Sequence, residues 1–166
     1  MRFVLALCGL VLVTAACGGS PAPPSPSPAP TLVPSSTPAP AVAASVYDNM
    51  AVGTTADGFP RLGAPEAPVT VTEYGSYDSN ASRLAHEEIF VPLLPRVEAG
   101  EVRYVFVPLS GTGSAANGDT AAAAALCAGE QGAYWQYHAR LFARLRDEGV
   151  DAFTGNALLD IADATG

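Results

Sequence analysis

The sequence predicts an α/β fold built on a βαβ unit, and three observations carry that reading. Residues 68–74 (PVTVTEY) alternate β-branched positions and stop at Gly75, as a strand does. Residues 79–94 follow as a helix, with Asp78 or Ser79 as N-cap, Leu84, Ala85 and Ile89 on one face, and Pro92 closing or kinking it. Residues 102–109 (VRYVFVPL) are almost continuously apolar over a strand's length, the pattern of a parallel strand buried on both faces. Two strands joined by a helix of this length make a right-handed crossover.

Beyond the second strand, a Gly-rich loop at 111–118 leads to an Ala-rich helix over 119–146, capped by Asp119 or Thr120 and divided by Gly129 and Gly132. Tyr134, Trp135, Tyr137, Leu141 and Phe142 recur at helical spacing and read as core. An amphipathic piece at 156–164 ends the chain's pattern before Gly166.

The folding unit occupies only part of the 166 residues. Arg2 followed by thirteen mostly apolar residues, 4–16, reads as a signal segment; at about 1.5 Å rise per residue it is too short to span a bilayer. Residues 13–17 (VTAAC) resemble a bacterial lipobox, with Thr14 where Leu is usual, which implies cleavage after Ala16 and a lipid on Cys17. Nine of the 15 prolines fall in the stretch that follows, from Pro21 to Pro40. With no charge and no periodic apolar face, residues 18–45 cannot build a core and read as a tether. As polyproline II its 28 residues would reach roughly 85 Å. Three segments follow: signal 1–16, lipidated linker 17–46 and domain 47–166. The chain is thus expected outside the cytoplasm, held to the cell membrane through Cys17.

Charge and cysteine count then restrict function. All eight basic residues are Arg, against sixteen acidic ones, and a chain of net charge −8 is repelled by phosphate backbones, so nucleic acid is excluded as a partner. Cys8 leaves with the signal and Cys17 carries lipid, so Cys127 is the one free thiol of the mature chain, and no internal disulfide can form. Set in an Ala-rich helix, Cys127 reads as a small buried hydrophobe.

Several motifs fall short of chemistry. Residues 86–90 (HEEIF) lack the second His of H-E-x-x-H, and with only His86 and His138 no metal site is expected. Residues 111–116 fit G-x-G-x-x-A, but the helix starts later and no acidic strand end follows, so no cofactor is expected. Ser82 and His86 are four apart, as a nucleophile and its base could be. No G-x-S-x-G elbow occurs and no oxyanion hole is evident, so they read as a helix-start serine and a surface histidine.

Three segments together resemble the DsbA-like branch of the thioredoxin superfamily, the exported dithiol-disulfide oxidoreductases: residues 57–74 (DGFPRLGAPEAPVTVTEY), 83–88 (RLAHEE) running on to 100–109 (GEVRYVFVPL), and 127–142 (CAGEQGAYWQYHARLF). The resemblance covers nearly ninety residues. It implies a thioredoxin-like βαβ core with a helical insertion. It also implies that the two cysteine positions of the family's Cys-x-x-Cys, at the start of the first helix, are Ser79 and Ser82 here. In the family the helix terminus stabilises a thiolate; a hydroxyl forms neither that anion nor a disulfide, so the dithiol reaction is absent.

Family members continue past the insertion into a cis-proline loop, two antiparallel strands and a helix, whereas no Pro follows Pro108 here. The resemblance therefore implies missing C-terminal strands, and either a truncated gene product or a sheet completed by something else. On this reading the edge of strand 102–109 is left uncovered and open to self-association. Two function classes follow: a redox-inactive, lipid-anchored binding or scaffold module whose partner is an exported protein or peptide, or an enzyme. The enzyme would be a thiol-disulfide oxidoreductase working through Cys127 alone, or a hydrolase using Ser82 and His86.

Overall fold

The computed structural model describes residues 45–110, 113 and 115–166. The expected signal segment, Cys17 and nearly all of the tether lie outside the described residues, as do Gly111, Thr112 and Ser114 of the Gly-rich loop. Eleven elements follow in order: β1 (Val52–Thr54), β2 (Pro60–Leu62), β3 (Val69–Gly75), α1 (Asn80–Ala85), a π-helical turn (His86–Phe90), α2 (Val91–Glu98), β4 (Val102–Pro108), α3 (Gly118–Glu130), α4 (Tyr134–Glu148), a 3-10 turn (Gly149–Asp151) and α5 (Ala157–Thr165).

The sheet order is β1-β2-β4-β3. β3 and β4 run parallel in unbroken register, from Val69 opposite Val102 to Gly75 opposite Pro108, which is the expected crossover. The hairpin β1–β2 is new. Thr55 and Phe59 close its loop, Thr55 N–H donating to the Phe59 carbonyl at 2.8 Å, while Gly58 takes φ +85°. β2 then pairs antiparallel with β4 at Arg61–Val105 and Leu62–Tyr104. This corrects the uncovered edge expected on residues 102–109: β4 is central, and the strands with one partner only among the described residues are β1 and β3. Strands of three residues are too short to show an alternating pattern, so the sequence concealed the covering hairpin.

The helix after β3 also departs from expectation. Leu84 and Ile89 are exposed, and the residues turned inward are His86, Phe90, Leu94 and Val97. Pro92 does not close the helix, which runs on to Glu98 with Pro95 inside α2. A proline lacks an N–H and crowds the carbonyl four residues back. Here the crowding is relieved by the π turn, where the Val91 N–H reaches back to the His86 carbonyl. One added residue per turn rotates the inward face and moves His86 from the expected surface into the interior.

The Ala-rich helix divides as expected. α3 ends at Glu130, Gly132 takes φ +80°, and α4 begins at Tyr134. Its cap is Asn117 rather than Asp119 or Thr120, with φ 63° and its Nδ2 donating to the Phe153 carbonyl at 3.0 Å. Tyr134, Trp135, Tyr137, Leu141 and Phe142 are buried, as read from their spacing, and pack with Phe90, Tyr104 and Phe106. Each such side chain removed from water contributes about 1.5–3 kcal/mol. Cys127 is exposed, not buried. An alanine stripe gives a helix no strong apolar side, and the α3 residues that turn inward are Ala121, Ala125 and Ala128.

Candidate functional site

The start of α1 holds the two serines that stand where the family resemblance places its cysteines. Ser79 is the N-cap, in extended conformation at φ −106° and ψ 123°. Its Oγ accepts from the Ser82 N–H at 3.4 Å, satisfying one of the orphan donors of the first turn. Ser82 Oγ in turn accepts from the Ser76 N–H at 3.0 Å, tying the helix back to the end of β3. Both hydroxyls are thus occupied by backbone donors. Asn80 Oδ1 takes the Arg83 Nε–H at 2.8 Å, and Arg83 also pairs with Glu87 at 2.5 Å, fixing the outer side of this turn.

Two carboxylates flank these serines, and the sequence reading singled out neither as a site residue. Asp78, immediately before Ser79, is buried and hydrogen-bonded to the Ser76 hydroxyl. The residues leading into α3 close against it: a Cβ added at Gly118 would sit 2.5 Å from the Asp78 Cβ. Glu73 lies on the inward face of β3, where its neighbours in alternation are Val71 and Gly75. Tyr104 O–H donates to its Oε2, and its buried Oε1 has no hydrogen-bond partner among the described residues. Burial raises the Glu73 pKa, and the Tyr104 hydrogen bond opposes that rise. Gly75 makes room for this arrangement: a Cβ there would lie 2.7 Å from Glu73 Oε1 and 3.1 Å from Ser82 Oγ. A signal was legible, because an acid stood in the same parity as the inward valine of an otherwise β-branched strand.

Behind this turn a buried chain of polar groups crosses the core. Tyr134 Oη lies 3.0 Å from Tyr77 Oη, which is 2.8 Å from His138 Nδ1, and His138 Nε2 is 3.2 Å from His86 Nδ1. Phe90, Phe106 and Phe142 surround the imidazoles. Burial pushes His86 down to about 4, and burial together with His86 holds His138 well below the usual histidine range. Burial likewise raises Tyr77 and Tyr134. These four buried groups are therefore uncharged at neutral pH. The arrangement spends His86 on His138, so Ser82 and His86 do not meet as nucleophile and base; Ser82 Oγ faces the Ser76 N–H instead.

Chemically, the helix start offers two hydroxyls, a buried carboxyl and a buried carboxylic neighbour, and no sulfur. Cys127 stands elsewhere, on α3. Among the described residues no three His, Cys, Asp or Glu side chains gather as a metal site, and no helix is long and apolar enough to cross a membrane.

Comparison with known proteins places this geometry. The family model described as thioredoxin matches residues 55–164. Disulfide bond formation protein D of Bacillus subtilis (strain 168) is 28% identical over 110 residues, covering 65% of this chain and 49% of that protein. The crystal structure of oxidised BdbD from Bacillus subtilis superposes with a TM-score of 0.59 at 27% identity, covering 70% of this chain and 64% of the other. The crystal structure of DsbA from Chlamydia trachomatis superposes with a TM-score of 0.55 at 26% identity, covering 66% and 59%. The chain spans about half the length of the curated relative it matches. The helical insertion α3–α4 on a mixed four-stranded sheet, the matched residues and these relatives agree: this chain belongs to the thioredoxin family, in its DsbA-like branch, and is related to the thiol-disulfide oxidoreductases.

Proposed function

We propose that this chain is an extracytoplasmic, lipid-anchored thioredoxin-fold module that has lost disulfide chemistry and acts by binding an exported protein or peptide. The observation that carries this is the start of α1. Ser79 and Ser82 stand at the family's dithiol positions, and their hydroxyls serve as backbone acceptors. The fold signal of the site, an N-cap on a helix leaving a strand end, is kept. The reaction is not, because an alcohol oxygen cannot enter thiol-disulfide exchange. Anchoring follows from the lipobox-like segment ending at Cys17, with the tether setting the distance from the membrane.

One observation favours a second reading. Cys127 is exposed, so its thiolate could attack a partner's disulfide, forming one S–S bond to the partner while the other partner sulfur leaves as a thiolate. Insulin reduction by the full chain in dithiothreitol separates the two. The binding-module reading expects no turnover above the reductant alone; turnover that disappears in Cys127→Ser would establish the single-thiol enzyme instead.

A further inference from the structure

A cleft of about 560 Å³ lies between the β1–β2 hairpin and the turn from α3 to α4. Val52, Thr54 and Pro60 form its hairpin wall, Leu126 its helical wall, and the buried Trp135 its floor. Both walls leave apolar surface in water, Val52 being 52% and Leu126 43% exposed. Leu126 is the one large aliphatic side chain of α3, and it lines this cleft while Ala121, Ala125 and Ala128 take the inward positions. Gly58 and Gly132 also line it, both at positive φ, with nothing within 4 Å of where a Cβ would sit, so bare backbone borders open space there.

The one charged residue of this lining is Glu130. It ends α3, at the negative pole of the helix, where a carboxylate is unfavourable and a cation is favoured. No basic residue stands in that last turn, and among the described residues the Glu130 carboxylate has no ion-pair partner. Arg61 does not supply one from the hairpin. It alternates with the inward Pro60 and Leu62, and its guanidinium lies against Gly53 on the other face of the sheet. A mostly apolar cleft of a few hundred Å³ with one placed charge has the form of a small-molecule site. The group it is short of is a cation.

We propose that this cleft binds a small organic cation, an ammonium group carried on an apolar body such as a phenyl ring. The body fills the space between Val52 and Leu126 above Trp135, and the ammonium donates to the Glu130 carboxylate at the end of α3. Anions are repelled by Glu130 and by the net charge of −8. The cleft shares no residue with the start of α1, so the proposal stands whether or not redox chemistry has been lost there.

The test is a nuclear magnetic resonance titration of the full-length chain in detergent with phenethylamine, followed at the indole N–H of Trp135, the chain's single tryptophan. A saturable shift of that resonance is expected. Affinity should fall about threefold for phenethyl alcohol and about tenfold for hydrocinnamate, which keep the ring and replace the ammonium with a hydroxyl and a carboxylate. Glu130→Gln should cost the amine about threefold and leave the alcohol unchanged. Val52→Ser and Leu126→Ser, both at exposed positions, should weaken amine and alcohol alike, whereas Leu159→Ser, on the exposed side of α5, should weaken neither. An unmoved indole resonance, equal affinity for amine, alcohol and carboxylate, or amine binding indifferent to Glu130→Gln would each overturn the proposal. Tighter binding of a blocked Phe–Lys peptide than of the amine would also overturn it, by assigning the cleft to a partner polypeptide.

Discussion

Nδ1 of His86 lies 3.2 Å from Nε2 of His138, joining the π-helical turn to α4 through two uncharged imidazoles. The groups facing the pair are Tyr77 from the loop after β3, Phe106 from β4, Trp135, Tyr134 and Phe142 from α4, and Phe90 on the turn itself. Glu87 is the acid that opposes the lowered pKa of His86.

Acid should therefore loosen this joint. A histidine of about 4 when folded and about 6.5 when unfolded gives stability that is fully present above pH 6.5 and is lost as pH falls toward 4. His86 alone accounts for a loss of about 2–3 kcal/mol by pH 4, and His138 adds to it in the same direction. Thermal melts followed by circular dichroism from pH 7 to 4.5 should show a steep fall in Tm. The fall should be shallower in His86→Phe with His138→Phe; equal slopes would mean the pair does not govern acid stability.

Glu73 has the opposite sign. Its folded pKa is raised, so its contribution is fully present below the unfolded value and is lost as pH rises through the folded one. Glu73→Gln fixes the neutral form and keeps an acceptor for Tyr104. The variant should melt higher than the parent at pH 8, with the gain disappearing at pH 4. A variant less stable at pH 8 would show that the ionised carboxylate is preferred there.

Gly75→Ala probes the crowded spot beneath Ser82. The new Cβ would meet Glu73 Oε1 at 2.7 Å and Phe106 Cε2 at 2.9 Å, closer than side chains pack. Urea denaturation should give a loss of about 1–3 kcal/mol with an unchanged m-value.

These sites explain which parts of the molecule the sequence revealed. β4 was legible because Val102 through Val107 are apolar at every position but Arg103, and the break between α3 and α4 because Gly132 must take positive φ. The β1–β2 hairpin was not, since Val52–Thr54 and Pro60–Leu62 are too short for an alternation to register. His86 was misplaced because helical spacing assumes 3.6 residues per turn, and the π turn before Pro92 breaks that count. Cys127 was misplaced because consecutive alanines leave the inward side of α3 undefined. At the helix start the serines were legible through the family pattern alone; Glu73 required knowing which side of β3 faces inward.

The anchor has its own test. Metabolic labelling with a fatty-acid analogue should mark the chain and leave Cys17→Ala unmarked, since two or three acyl chains at about 0.8 kcal/mol per buried methylene hold a protein stably to a bilayer. An unlabelled wild-type chain, freely released from cells, would contradict the anchor.

The claim that the helix start has lost its redox chemistry is tested most directly by counting oxidising equivalents. The full chain and its Ser79→Cys, Ser82→Cys variant are equilibrated with oxidised glutathione, freed of it, and mixed with a reduced, unfolded model substrate whose thiols are then titrated. The wild-type chain should transfer no intramolecular disulfide and show no catalysis, and any gain of transfer should require both new cysteines. Catalytic oxidation of the substrate by the wild-type chain, above the rate of buffer alone, would contradict the account.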